Sequence, residues 1–161
     1  MRTVRRAFAT MVMSFAARAE AQHTHGEAHL DIGIDGTSGA MELRIPGDDL
    51  YGFEHQPRTA VERAKRDSAV AKLGSRASSL VRFDAVFGRA ITPGPVRFLS
   101  GKHVEVSARY RFICRRAPSS RDIRFGVTSV FPSVHILRVQ LVTDTAQLNR
   151  TSTDDKGVQR P

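Results

Sequence analysis

Three histidines stand close together near the start of the chain, in the stretch QHTHGEAHL at positions 22–30. Neutral imidazole is a good ligand for zinc, and a tetrahedral zinc site needs three or four nitrogen, sulfur or oxygen donors. In an extended segment the side chains of His23 and His25 project to the same side, about 7 Å apart, and Gly26 permits the bend that would bring them closer. The cluster His23, His25 and His29 therefore predicts part of a metal site. The alternative is a polar segment that binds no metal.

The segment before this cluster has the three parts of a secretory signal peptide. Residues 1–21 begin with a basic stretch, continue with an apolar run over residues 7–17, and close on Ala19-Glu20-Ala21. The apolar run is too short to span a bilayer. We therefore predict a signal peptide over residues 1–21 and export of the mature chain. An amphipathic N-terminal helix or a mitochondrial-type leader is the alternative.

The basic charge of the chain does not by itself indicate a nucleic-acid partner. The formal charge is +9 and the sequence pI is about 10.9, which would favour nucleic acid or an acidic membrane. The predicted leader carries four arginines and one glutamate, so its removal lowers the charge to +6. The remaining basic residues are scattered and are not interleaved with aromatic residues as in a nucleic-acid surface. We predict solvated basic faces, no nucleic-acid partner and no membrane span.

Residues for covalent or hydrolytic catalysis are sparse. Cys114 is the only cysteine, so no intrachain disulfide can form, and its place at the end of an alternating run predicts a buried structural thiol. No H-E-x-x-H or G-x-S-x-G spacing accompanies the histidines. We therefore predict that the protein is not an enzyme.

The elements that must position the histidines begin with a hairpin. Residues 29–35 and 41–45 alternate apolar and polar side chains, and DGTSGA between them is rich in turn residues. His29 then lies on the polar face. Asp48 can cap a short helical turn.

The main helix is predicted from a capping box, Thr59 with Glu62, and Gly74 is expected to end or bend it. Its predicted core stripe consists of Val61, Ala64, Val70, Ala71 and Leu73.

The second half of the chain predicts further strands. Residues 82–101 are irregular and are interpreted as a strand or short helix followed by a loop, and residues 104–113, 123–131 and 135–143 as strands. His135 is interpreted as structural. The polar residues 148–161 are predicted to be a disordered tail, which leaves one domain over residues 22–147. The fold class is α+β, with an antiparallel or mixed sheet, an N-terminal hairpin, one main helix in the middle and C-terminal strands.

Four motifs in order resemble the ZrgA-type family, whose members are exported bacterial proteins associated with zinc uptake. The motifs are HTHGEAHLDIGIDG, LRIPGDDLYGFEHQPRTAVERA, HVEVSARYRFIC and FPSVHILRVQLVTDTAQ. The resemblance implies a periplasmic zinc-binding protein that assists zinc uptake or delivery to an ABC-type importer or its binding protein. A metal-free envelope interaction or scaffold protein of the same fold is the alternative.

The resemblance also implies ligand positions. It implies that His23, His25 and His29 bind metal. Family members have a second metal-binding segment later in the chain, and here that segment retains only His103, with Glu105 two positions on. The GFEH motif adds Glu54 and His55, for which capping or a structural hydrogen bond is the alternative. The long histidine-rich stretch of many members is missing, its place taken by PGPVRFLSGKH, and so is the second cysteine that members often have. The predicted metal residues are therefore His23, His25, His29, His55, His103 and Glu105, with zinc as the ion.

Overall fold

The computed structural model describes residues 24–101, 103–119 and 123–153. The predicted signal peptide, His23 and residues 154–161 lie outside the described residues. The strands are β1 (Glu27–Asp35), β2 (Ser38–Pro46), β3 (Val81–Phe83), β4 (Arg89–Ser100), β5 (Val104–Cys114), β6 (Ile123–Phe125), β7 (Ile136–Val142) and β8 (Gln147–Ser152). The helices are α1 (Gly47–Tyr51), α2 (Ala60–Ser75), α3 (Ala77–Leu80) and α4 (Val127–Val130).

Six strands form one mixed sheet in the order β4-β5-β2-β1-β7-β8, and β3 pairs with β6 in a second, smaller sheet. Within the large sheet β1 and β7 run parallel, whereas the other neighbours are antiparallel. The predicted α+β class is confirmed, with its N-terminal hairpin, its main helix in the middle and its C-terminal strands.

The hairpin of β1 and β2 follows the alternation of the sequence. Asp35 pairs with Ser38 across a two-residue turn, in which Gly36 has a φ of +53°, a backbone conformation that favours glycine. Leu30 and Leu43 pair on the inner face, each with 1% of its surface exposed. The polar residues that alternate with them lie on the outer face.

The inner face of the large sheet carries the hydrophobic core. Its side chains form one buried cluster with residues of α2, α3, α4 and the small sheet. The Tyr110 hydroxyl, on β5, donates a hydrogen bond to the Leu73 carbonyl of α2 at 3.2 Å. Cys114 is buried, as predicted.

The main helix begins as predicted, but fewer of its side chains than predicted are buried in the core. The Thr59 side chain accepts a hydrogen bond from the Glu62 N–H and the Glu62 carboxylate accepts one from the Thr59 N–H, which confirms the capping box. Leu73 is the buried residue of α2, whereas Val61 is 66% exposed. The predicted core stripe is therefore wrong at Val61, Ala64 and Ala71, because the helix contacts the core near its C-terminal end.

The interpretation of residues 82–101 as ending in a loop is wrong. Residues 89–100 form β4, an edge strand paired with β5, with a register shift between Pro93 and Val96. An edge strand tolerates proline because its outer N–H groups have no ladder partner, and the irregularity takes up the interruption.

Two further predictions are corrected at the C-terminal end. The strand expected over residues 123–131 ends at Phe125, and α4 follows, since Val127, Val130 and Phe131 are buried at the spacing of one helical turn. The prediction of a disordered tail is wrong for residues 148–152, which belong to β8 and pair with β7. Among the described helices, none is long and apolar enough to cross a membrane.

Candidate metal site

The candidate site lies where the chain leaves the hairpin and turns into α1. The helix begins at Gly47 with Pro46 as its N-cap residue, so the prediction that Asp48 caps this turn is wrong. Asp48 and Asp49 occupy the first helical turn instead. The Asp48 side chain is 45% exposed, whereas Asp49 is buried with 8% of its surface exposed.

A turn at Gly26 holds the N-terminal segment against this helix. The Gly26 N–H donates a hydrogen bond of 2.8 Å to Oδ2 of Asp49, and the Gly26 carbonyl accepts hydrogen bonds from the N–H groups of His135 and Ile136, at 2.7 and 2.8 Å. Gly26 has a φ of +78°, which a residue with a side chain adopts only with strain. These bonds fix His25 beside α1 and beside the start of β7.

Three side chains converge at this point. Nδ1 of His25 lies 3.5 Å from Oδ2 of Asp48, and one ligand atom from each of His25, Asp48 and Asp49 lies within 4.8 Å of the others. Donors about 2.0–2.1 Å from one tetrahedral zinc ion are about 3.4 Å from one another. The three residues can therefore contact one ion after small side-chain movements.

The electrostatics of the site favour a cation. Burial raises the pKa of Asp49, the Gly26 N–H opposes that effect, and the charge of the neighbouring Asp48 raises the pKa further. Two carboxylates held side by side, one of them buried, lose this mutual repulsion when a cation lies between them. A positive ion is therefore the ligand that the pair accommodates best.

An open pocket of about 470 Å³ lies over these groups. It is lined by His25, Gly26, Asp49, Pro132, Ser133 and His135. His135, which is interpreted from the sequence as structural, thus lines the pocket of the candidate site. Sequence alone does not indicate this, because the parallel pairing of β1 with β7 joins positions more than a hundred residues apart.

Glu54 extends the cluster toward a second histidine. Its Oε1 lies 3.9 Å from Nδ1 of His25, and its Oε2 is hydrogen-bonded to Nδ1 of His103. The structure therefore brings the predicted residues His25 and His103 to the same carboxylate.

The other predicted ligands lie apart from this group. His55 makes the contacts of a helix entry: Nδ1 lies 2.9 Å from the Gln56 carbonyl, Nε2 lies 4.0 Å from a Glu62 carboxylate oxygen, and the ring stacks on Phe53 with 5.1 Å between centroids. His23 lies outside the described residues.

His29 and Glu105 lie in the large sheet. Nε2 of His29 is 3.3 Å from Oε1 of Glu27, and Arg44 and Arg138 are the register partners of His29 on the two adjacent strands. Burial lowers the pKa of His29, and the charge of Arg44 lowers it further, while Glu105 is close enough to oppose that effect. Neither residue belongs to the group formed by His25 and the two aspartates.

The donors that sequence reasoning missed are Asp48 and Asp49. The signal for them is two adjacent carboxylates shortly after a strand that ends at Pro46, a pattern that also fits a helix cap. Mixed imidazole and carboxylate donors suit zinc, whereas magnesium and calcium prefer oxygen donors throughout. Among the described residues, this is the group of histidine, cysteine and acidic side chains whose donors lie close enough to share an ion.

Residues 22–160 match the model of a family described as the ZrgA family zinc uptake protein. The matched region contains every described element of the fold. Comparison with curated proteins gives no match.

Proposed function

The chain belongs to the ZrgA family of zinc uptake proteins, and from this premise we propose that it binds zinc in the periplasm and assists delivery of the ion to an ABC-type importer. The observation that carries the proposal is the convergence of His25, Asp48 and Asp49. One imidazole and two carboxylates would form three of the four contacts of a tetrahedral zinc ion.

The exposure of His25 and Asp48 supports a role in transfer. The His25 side chain is 66% exposed and the pocket above Asp49 opens to the surface. A zinc ion held here can be reached by a second protein without unfolding of the core.

Export to the periplasm is supported by the sequence before the site. Residues 1–21 have the order of a signal peptide, and the match to the family begins at residue 22. Fractionation of cells that express the full chain tests this part: the mature protein is expected in the periplasmic fraction, and full-length protein in the cytoplasm would contradict it.

Binding is proposed in preference to catalysis. Burial raises the pKa of the Cys114 thiol, so its thiolate, the form that acts as a nucleophile, is disfavoured. The zinc ion is the cargo of the proposed site, and the residues around it hold it and release it.

Calorimetric titration of zinc into the mature chain, beginning at Gln22, tests the proposed function. The variant His25→Ala removes an exposed imidazole and leaves the core intact. Its affinity is expected to fall at least tenfold, since even the loss of a group that only supports a metal ligand costs about 10–100-fold. His29→Ala is the matched control, because it removes a histidine from the large sheet and should leave the affinity unchanged.

Two results would contradict the proposal. Zinc binding by the mature chain that is weaker than about 1 mM is too weak for capture of the ion, and it would favour the metal-free envelope interaction protein. Equal affinities of the wild type and His25→Ala would remove the described group as the site.

A further inference from the structure

The backbone at His135 is fixed next to the candidate zinc site. His135 directly precedes β7, and Glu27 of β1 pairs with Ile136 of β7 in parallel register. The residues before these two, Gly26 and His135, therefore lie side by side at the same end of the sheet. The hydrogen bond of 2.7 Å from the His135 N–H to the Gly26 carbonyl holds them there.

The His135 ring lies against the turn that carries His25. A Cβ atom on Gly26 would lie 3.0 Å from Cδ2 of the His135 ring. The N–H of the same glycine is bonded to Oδ2 of Asp49. His25 directly precedes this glycine, and His25, Asp49 and His135 line one pocket with it. The two histidines thus approach one buried carboxylate from the turn and from the start of β7.

We propose that His135 is the fourth zinc ligand and that it gives the site its preference for zinc over manganese and magnesium. This inference rests on the proposed function, because it concerns the same ion. The three converging donors leave one position of a tetrahedral shell to be filled. His135 is exposed and lines the pocket, so its imidazole can turn toward the ion by rotation about its side-chain torsions.

Glu54 is the competing donor, and its contacts make it less suitable. One of its carboxylate oxygens is already hydrogen-bonded to His103, so ligation would compete with that bond. The imidazole of His135 has no hydrogen bond or ion pair within the described part of the chain, and ligation there breaks no existing contact.

The identity of the fourth donor determines the selectivity of the site. Two imidazoles with two carboxylates form a mixed nitrogen and oxygen set that suits zinc, whereas carboxylate and water ligands suit magnesium and manganese. Replacement of the second imidazole by an oxygen donor should therefore weaken zinc binding more than manganese binding.

The test is titration of the mature protein with zinc and, separately, with manganese, using His135→Ala, His135→Asp and the control His55→Ala. We expect His135→Ala to lower zinc affinity at least tenfold, because even the loss of a residue that only supports a metal ligand lowers affinity about 10–100-fold. We expect His135→Asp to bind both ions with a ratio of zinc to manganese affinity that is at least tenfold lower than in the wild type. His55→Ala should match the wild type in both titrations.

Absorption spectra of the cobalt-loaded proteins supply a second measurement. The wild type is expected to give the intense visible bands of four-coordinate cobalt, and His135→Ala weaker bands of higher coordination. Circular dichroism checks the fold of each variant, and because the side chain is exposed we expect no change.

Wild-type zinc affinity, selectivity and cobalt spectrum in His135→Ala would overturn this inference. If His25→Ala still loses affinity in the same experiment, the proposed function stands and the fourth ligand is another residue. If the wild type itself does not bind zinc, the proposed function is wrong.

Discussion

Replacement of Asp49 by asparagine separates the two roles of this side chain. Asp49 accepts a hydrogen bond from the Gly26 N–H and, in the proposed site, also binds zinc. The asparagine side-chain oxygen can still accept the bond from Gly26. The amide carries no charge, so it removes the repulsion with Asp48 and lacks the negative charge that attracts the ion.

The magnitudes of the two effects differ. A hydrogen bond to a charged group contributes about 1.5–3 kcal/mol and one to a neutral group about 0.5–1.5 kcal/mol, and the gain from no longer burying a carboxylate opposes that loss. We therefore expect the zinc-free stability of Asp49→Asn to lie within about 1 kcal/mol of the wild type. At a zinc concentration one hundred times the wild-type Kd, zinc adds about 2.7 kcal/mol to the wild type. A variant that binds tenfold more weakly gains only about 1.4 kcal/mol at the same concentration.

Urea unfolding with zinc and with a chelator measures both quantities. Asp49→Ala is the informative comparison, since it leaves the buried Gly26 N–H without an acceptor and should cost about 1–3 kcal/mol even without zinc. If zinc raises the free energy of unfolding of Asp49→Asn as much as that of the wild type, Asp49 is not a ligand. A large loss of zinc-free stability in Asp49→Asn would refute the argument that the amide preserves the turn.

Further predictions concern stability. Gly26→Ala should destabilise the protein by at least about 1 kcal/mol, the cost of a left-handed backbone conformation for a residue with a side chain, with added crowding against His135; urea unfolding measures it. Thr59→Ala should cost about 1 kcal/mol by removing the helix cap with Glu62, and hydrogen exchange should show faster opening of the first turn of α2 than of its last. The pKa of His29 is lowered from 6.5, so the folded state binds fewer protons than the unfolded state just below that pH. The stability linked to His29 is therefore present above pH 6.5 and lost as the pH falls through its lower folded-state pKa. Urea unfolding at several pH values should show that the free energy of unfolding depends less on pH in His29→Gln than in the wild type.

Sequence predicted those parts of the fold that depend on neighbouring residues. The alternation in β1 and β2 predicted the inner face of the hairpin, and the pair of Thr59 and Glu62 predicted the start of α2. Both features depend on interactions between residues close together in the chain. The predicted loop at Pro93 and Pro95 is instead an edge strand, since pairing with β5 outweighs the local preference of proline. Tertiary pairing with β7 likewise orders the polar β8.

The site could be predicted only in part, for a related reason. The spacing of the histidines pointed to His25, which the structure places beside Asp48, and the resemblance pointed to His103, which the structure places against Glu54. Asp48 was interpreted as a helix cap and Asp49 was not singled out, because the approach of Asp49 to Gly26 depends on how α1 folds back after β2. The place of His135 depends on a parallel pairing that no local pattern reports.

We propose that zinc is held by His25, Asp48 and Asp49. Anomalous diffraction at the zinc absorption edge, from crystals of the zinc-loaded mature protein, tests it most directly. We expect an anomalous peak between the His25 imidazole and the two carboxylates, about 2.0–2.2 Å from each donor atom. A peak elsewhere in the molecule, or none at stoichiometric zinc, would contradict it.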